Sequence, residues 1–351
     1  MTPISYLTAT DTDTAVAEIG PPMGSTTAAG LPKFIAGGTN LIDLMKVNVM
    51  RPATLIDVNG LPLATIEPSE SGGLMLGALA RNADTAYHPL VRTDYPLLSA
   101  AILAGASPQI RNAASNGGNL LQRTRCYYFY DVGVACNKRQ PGSGCPAIGG
   151  VTRNHAILGA SEHCIATHPS DMCVALAALG AIVHVQSRTG PRAIPFADFH
   201  RLPGDRPDQD TNLTADELIT HIELPPSAQF KGHSVYLKLR DRASYAFALV
   251  SVAAALDLAE DGSIRDVRVA LGGVAHKPWR QADAEALLLN QAPVPAQFDR
   301  LADALLEGAR GQGVNDFKIP LARRAIVRAL QVATAGTVTN TGEAPSPEEF
   351  L

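Results

Sequence analysis

No stretch of this chain is long and apolar enough to cross a bilayer. Runs such as Ala246-Phe247-Ala248-Leu249-Val250-Ser251-Val252-Ala253-Ala254-Ala255-Leu256 fall short of the roughly 20 residues a spanning helix needs. An excess of charge is missing too: 29 Lys and Arg against 33 Asp and Glu leave a net charge of −4, so no basic footprint points to nucleic acid. The opening Met1-Thr2-Pro3-Ile4-Ser5-Tyr6 has neither a basic n-region nor an apolar h-region, so we expect no signal peptide here and export only through a partner. There is no internal repeat, no Rossmann fingerprint and no Walker loop. What remains, at 46% hydrophobic and 18% charged residues, is an ordinary globular composition in a length that allows two or three domains.

Four of the five cysteines, Cys126, Cys136, Cys145 and Cys164, fall in one Gly/Pro-punctuated segment that reads as loop rather than packed core. Cys173 differs, lying in the apolar helix-like run Asp171 to Leu179, where a thiol behaves as a small buried hydrophobe. The clustered four have three competing explanations: two disulfides, a zinc site or an iron–sulfur cluster. A chain of this length needs no disulfide staples for its core. Structural zinc usually brings paired ligands two to four residues apart, whereas the spacing here is C-x9-C-x8-C-x18-C. Four thiolates from separated loop positions suit a cubane by count, though spacing alone does not choose it over zinc. His155, His163 and His168 are substitute ligand candidates, but loop histidines are more often simply solvated.

Alternating strand-like and helix-like runs organise the rest. Lys33 to Ala36 reads as a strand, Gly37-Gly38-Thr39-Asn40 as a turn, Leu41 to Lys46 as a helix and Thr54 to Val58 as the next strand. Strand-like runs over Leu61 to Ala78 and a helix over Tyr95 to Ala104 follow. Beyond the cysteines come a helix over Ser170 to Leu179 and strands at Ala181 to Val185 and Leu218 to Leu224. Pro225-Pro226 marks a boundary, after which Val235 to Leu239 and Ala246 to Leu258 are strand-like. Asp261-Gly262 suits the positive-φ positions of a hairpin into Arg265 to Leu271, and helices are expected over Pro295 to Arg310 and Ile319 to Ala333.

Phe34-Ile35-Ala36-Gly37-Gly38-Thr39-Asn40-Leu41 joins strand to helix through paired glycines, which lets backbone N–H groups approach an anion. Alone, such a turn is more often structural. A second loop of the same character, Gln109-Ile110-Arg111-Asn112 to Gly117-Gly118-Asn119-Leu120, ends just before the cysteine segment. These two loops, followed by Ser170-Asp171-Met172, closely resemble the FAD-binding subunit of the molybdenum hydroxylases, the xanthine dehydrogenase and aldehyde oxidoreductase family. The resemblance runs over most of the chain and includes Lys238-Leu239-Arg240-Asp241-Arg242-Ala243 and Ala270-Leu271-Gly272-Gly273-Val274-Ala275.

The resemblance implies an α+β fold: a two-part α/β FAD-binding domain of the PCMH type over 1–225, with subdomains 1–60 and 61–225. A C-terminal domain of the CO dehydrogenase flavoprotein type would follow over 226–335, then a loose tail over 336–351. By the same resemblance FAD is held by Phe34, Ile35, Ala36, Gly37, Gly38, Thr39, Asn40 and Leu41 of the first loop and by Gly105, Ser115, Asn116, Gly117, Gly118 and Asn119 around the second. Asp171, Ile219 and Lys238 match later flavin-contacting positions. Asn116 departs from the aliphatic residue usual before Gly-Gly. The insertion 122–167, which carries the four cysteines, looks like that of the periplasmic aldehyde oxidoreductase branch, whose FAD subunit binds a 4Fe-4S cluster through ligands that would here be Cys126, Cys136, Cys145 and Cys164; 4-hydroxybenzoyl-CoA reductase has a comparable insertion.

The function implied is electron transfer in a heteromeric molybdenum aldehyde oxidoreductase. Electrons pass from molybdopterin on a large partner, through 2Fe-2S clusters on a small one, to FAD here and on to a small-molecule or protein acceptor. No acid/base catalyst is expected in this chain. A xanthine dehydrogenase-type or 4-hydroxybenzoyl-CoA reductase-type complex is the alternative within the class, and a zinc-stabilised non-redox assembly protein the alternative outside it. Location is expected to be periplasmic by co-export with a signal-bearing partner, or else cytoplasmic.

Overall fold

The computed structural model describes residues 3–19 and 30–337, so the tail expected over 336–351 lies outside them from residue 338 on. Three sheets organise the chain. The first is parallel, with β1 (Ser5–Thr8) and β2 (Lys33–Ile35) flanking β3 (Thr54–Asp57). Its helix Thr12–Glu18 starts at Asp11, whose carboxylate accepts the Thr14 N–H at 2.7 Å. Neighbours along β3 point to opposite faces. Ile56 accordingly joins a core with Ala15, Ile19 and Leu63, while Leu55 joins another with Ile35, Leu44 and Met45.

The second sheet is antiparallel: β4 (Ile66–Pro68), β5 (Leu74–Gly77), β6 (Ile182–Ser187), β7 (Gly190–Pro195) and β8 (Leu218–Leu224), in the order β4-β5-β8-β6-β7. The helices Pro96–Ala104 and Asp171–Leu179 share its core. Every residue of Asp171–Leu179 is buried, as its apolar circumference requires; Ser170 caps its start and Gly180, at φ +68°, ends it.

The third sheet, also antiparallel, runs β9 (Ser234–Leu239), β10 (Val250–Leu258), β11 (Ile264–Gly272). Alternation along β10 decides its place. Val250, Val252, Ala254 and Leu256 pack with the helices Pro295–Leu305 and Lys318–Ala335, whereas Ala253 and Ala255 share the core of the Asp171–Leu179 helix. The small alanines let that helix approach, and the sheet is thereby buried on both sides.

Most sequence expectations hold to within a few residues. Ala246 to Leu249 precede the strand rather than joining it, and only Gly262, at φ +81°, takes the left-handed region in the hairpin expected of Asp261-Gly262. The cysteine segment needs a correction. It is irregular, apart from one helical turn at Tyr127–Tyr130, but it is not without packing: Phe129, Ala147, Ile157, Leu158 and Ile165 are buried, and Phe129 and Cys136 complete the core beneath Leu55.

Candidate functional site

A cleft of about 1050 Å³ opens where the three sheets meet. Gly37, Gly38, Thr39 and Asn40 form one wall, Gly105, Gly118 and Asn119 another, and Asp171 and Lys238 a third. The two glycine loops touch: a Cβ built on Gly37 would lie 2.0 Å from the Ala113 carbonyl oxygen. The backbone N–H groups of Gly37, Gly38, Thr39 and Asn40 find no backbone acceptor among the described residues. Ser115 caps the second loop's helix Asn116–Leu120, accepting the Gly118 N–H.

Other expected contacts stand behind the walls. The side chains of Phe34, Ile35, Ala36 and Leu41 belong to the cores on either side of β3, and neither Ser115 nor Gly117 lines the cleft. Asn116 is fully buried. Its amide donates to the Thr85 hydroxyl (2.8 Å) and to the Gly77 carbonyl (3.2 Å), and its carbonyl accepts from Asn82 at 3.0 Å, so this departure from an aliphatic residue serves the scaffold. Ile219 is 5% exposed in β8, where it packs beneath Gly117 and is not among the residues lining the cleft.

Asp171 and Lys238 pair at 2.8 Å with both side chains buried. Tyr236 donates to the other Asp171 oxygen at 2.7 Å, and Lys238 also donates to the Ala104 carbonyl at 3.0 Å. A buried ion pair with its remaining hydrogen-bonding capacity used in this way is rigid. Burial followed by the Asp171 charge raises the Tyr236 hydroxyl well above its ordinary range, so it stays a donor.

Four buried nitrogens on lining residues lack partners: Asn40 Nδ2, Arg125 Nε, His155 Nδ1 and His168 Nε2. Unpaired buried polar atoms are costly, each on the order of 1–3 kcal/mol, and these belong to residues that line one cavity. Arg125 and His155 were beyond sequence reasoning as cleft residues, since nothing local distinguishes them.

The four clustered cysteines line a second, smaller chamber, together with Lys138, His155 and His163. Its free volume, about 10 Å³, is too small for a bound organic molecule. All five cysteines are free thiols. Burial pushes Cys126 up to about 12 and Cys164 up to about 11, so a metal centre must expel protons to form. Zinc–sulfur bonds of about 2.3 Å would draw tetrahedral ligands to about 3.8 Å apart. Among the described residues, no three of these sulfurs lie within 4.8 Å of one another. Cys126 and His155, whose Nε2 is 3.1 Å from the Cys126 sulfur, also line the cleft, so the two cavities share a wall.

One triad does come together: His168, Cys173 and His200, with ligand atoms within 4.8 Å. His168 Nδ1 accepts from the Ser170 N–H and His200 Nε2 donates to the Leu120 carbonyl, which leaves one ring an unpaired N–H and the other an unpaired acceptor. Neither of those two atoms has a hydrogen-bond partner, and the rings meet edge to face with their centroids 4.4 Å apart. Cys173 remains a core thiol.

A family model described as the FAD binding domain in molybdopterin dehydrogenase matches residues 6–227, and one described as the CO dehydrogenase flavoprotein C-terminal domain matches 235–333. The chain belongs to this flavoprotein family. Among its relatives, the FAD-binding subunit PaoB of the Escherichia coli K12 aldehyde oxidoreductase is 53% identical over 304 residues, 86% of this chain and 92% of that one. The glyceraldehyde dehydrogenase medium chain of Sulfolobus acidocaldarius is 30% identical, covering 72% of this chain and 71% of its own. Among solved structures, carbon monoxide dehydrogenase from Hydrogenophaga pseudoflava superposes with a TM-score of 0.72 at 25% identity, over 95% of this chain and 98% of that chain. In this flavoprotein family, then, an FAD-binding domain followed by the flavoprotein C-terminal domain is the shared architecture.

Proposed function

We propose that the chain is the FAD-binding electron-transfer subunit of a heteromeric molybdenum aldehyde oxidoreductase, with FAD in the large cleft and a 4Fe-4S cluster on Cys126, Cys136, Cys145 and Cys164. The observation that carries the flavin is the gathering of unpaired buried nitrogens on residues of a cleft walled by both glycine loops. FAD would supply the chemistry of taking up electrons one at a time and passing them on to the acceptor. The chain's own residues bind and orient it: the Gly37-to-Asn40 backbone and the Asn40 amide suit phosphate oxygens, and the Asp171–Lys238 pair holds the opposite wall rigid. For the chamber, a donor set of four thiols favours iron–sulfur or zinc over hard cations, and four cysteines from separated loop positions, with no close pair, suit a cluster better than one zinc ion.

The aldehyde reading follows from likeness: 53% identity to the aldehyde oxidoreductase subunit, against 24% to the putative xanthine dehydrogenase FAD-binding subunit of the same E. coli strain. A large molybdenum subunit and a small 2Fe-2S subunit would be its partners, and periplasmic delivery on a signal-bearing partner belongs to the same proposal. Co-expression with neighbouring subunit genes, then cofactor analysis and fractionation, tests it. We expect one flavin and about four irons with labile sulfide on this chain. Serine at any of the four cysteines should remove iron and sulfide together, while Cys173→Ser keeps both. Zinc without flavin would overturn the reading, and retention of the assembled complex in the cytoplasm would overturn the export.

A further inference from the structure

Between Cys136 and Cys145 the chain buries a lysine. The Lys138 side chain is 1% exposed, donates to the Pro207 carbonyl at 2.8 Å and pairs with Asp210. Arg123 holds the other Asp210 oxygen at 2.7 Å, and His276 Nε2 lies 3.7 Å from the carboxylate. Burial acts to raise Asp210, but Arg123, Lys138 and His276 outweigh it and keep the carboxyl well below its usual range. Burial, then Lys138, pushes His276 down to about 3, so it is neutral at pH 7. Two permanent cations therefore face one carboxylate, and the cluster carries a net positive charge.

Among the described residues lining the cysteine chamber, Lys138 is the only Lys, Arg, Asp or Glu. A buried ammonium is expensive to keep, and anchoring a loop does not require one. The field of a fixed charge in a dry site is weakly screened, and Lys138 lines the same chamber as all four cysteines.

We propose that Lys138, oriented by Asp210, sets the reduction potential of the metal centre held by the four cysteines. Adding an electron makes the centre more negative, so the neighbouring ammonium favours the reduced state, and Asp210 offsets part of that effect while fixing the ammonium's position. This rests on the iron–sulfur reading above.

The two charges predict shifts of opposite sign, which a purely structural role does not. Redox titration of the assembled complex, followed by the electron paramagnetic resonance of the reduced centre, reads them directly. Lys138→Met should lower the potential, Asp210→Asn should raise it, and Lys138→Arg should stay close to wild type, all at unchanged iron content. Shifts of the same sign in the first two, or none with the centre intact, would overturn the inference. If Lys138→Met cannot retain the centre, the volume-conserving Asp210→Asn decides alone, and no upward shift there refutes it. A wild-type complex with flavin but no iron on this chain would remove the metal reading itself, and this inference with it.

Discussion

Gly37 stands where the two glycine loops meet, with no room for a side chain. A Cβ there would sit 2.0 Å from the Ala113 carbonyl oxygen and 2.8 Å from its carbon, both backbone atoms that cannot swing away. Gly37→Val should force the loops apart, at roughly 1–3 kcal/mol as overpacking goes, and lose most of the flavin; the flavin-to-protein ratio and a thermal melt of the purified variant check both. At Gly38 the side chain would meet only the flexible end of Ile42, and the cost lies in φ +70°. Gly38→Ala should therefore be milder, about 1–2 kcal/mol, with more flavin retained. Both glycines were legible in the sequence because punctuation between a strand and a helix is a local signal. Lys138, Asp210 and His200 were not, since their roles come from pairings with residues far away along the chain.

Lys318 opens the helix Lys318–Ala335 and is fully buried. It donates to the His155 carbonyl at 2.8 Å and also to that of Gly273, which a neutral amine with two N–H groups still satisfies. Desolvation pushes it down to about 7, against roughly 10.4 in an unfolded chain. Between those values the unfolded state binds the proton and the folded state does not, so stability rises with pH from about 7 to 10 by up to roughly 4 kcal/mol from this group; below 7 the penalty is present in full. In Lys318→Met this contribution should vanish, flattening the slope of urea-unfolding stability over that window. Elements themselves were readable where periodicity was strong: the helix Asp171–Leu179 and the strand β8 fall where the pattern placed them. The insertion was misread as unpacked because its buried residues, Phe129, Ile157 and Ile165, follow no period. Neither 2 nor 3.6 organises a loop whose fold is set by neighbours distant in sequence.

The large cleft takes walls from all three sheet regions, so a ligand filling it binds only when they are assembled together. FAD at 100 times its dissociation constant should stabilise the whole chain by about 2.7 kcal/mol, with the melt sharpening into one transition, and Gly37→Val should show little of that gain. Scanning calorimetry with and without flavin measures it. Ile219, carried over from a short strand, lies behind the cleft wall, because likeness of sequence fixes a position along the chain and not the face of the sheet it occupies. The grip of the last helix on the insertion also has a meaning for synthesis. Asn315 and Lys318 hold the His155 carbonyl from 160 and 163 residues further along, so nearly the whole chain must leave the ribosome before the cysteine chamber's backbone can be locked. Until then the four thiols stay open to solvent, which on the iron–sulfur proposal is the interval in which a cluster would be delivered.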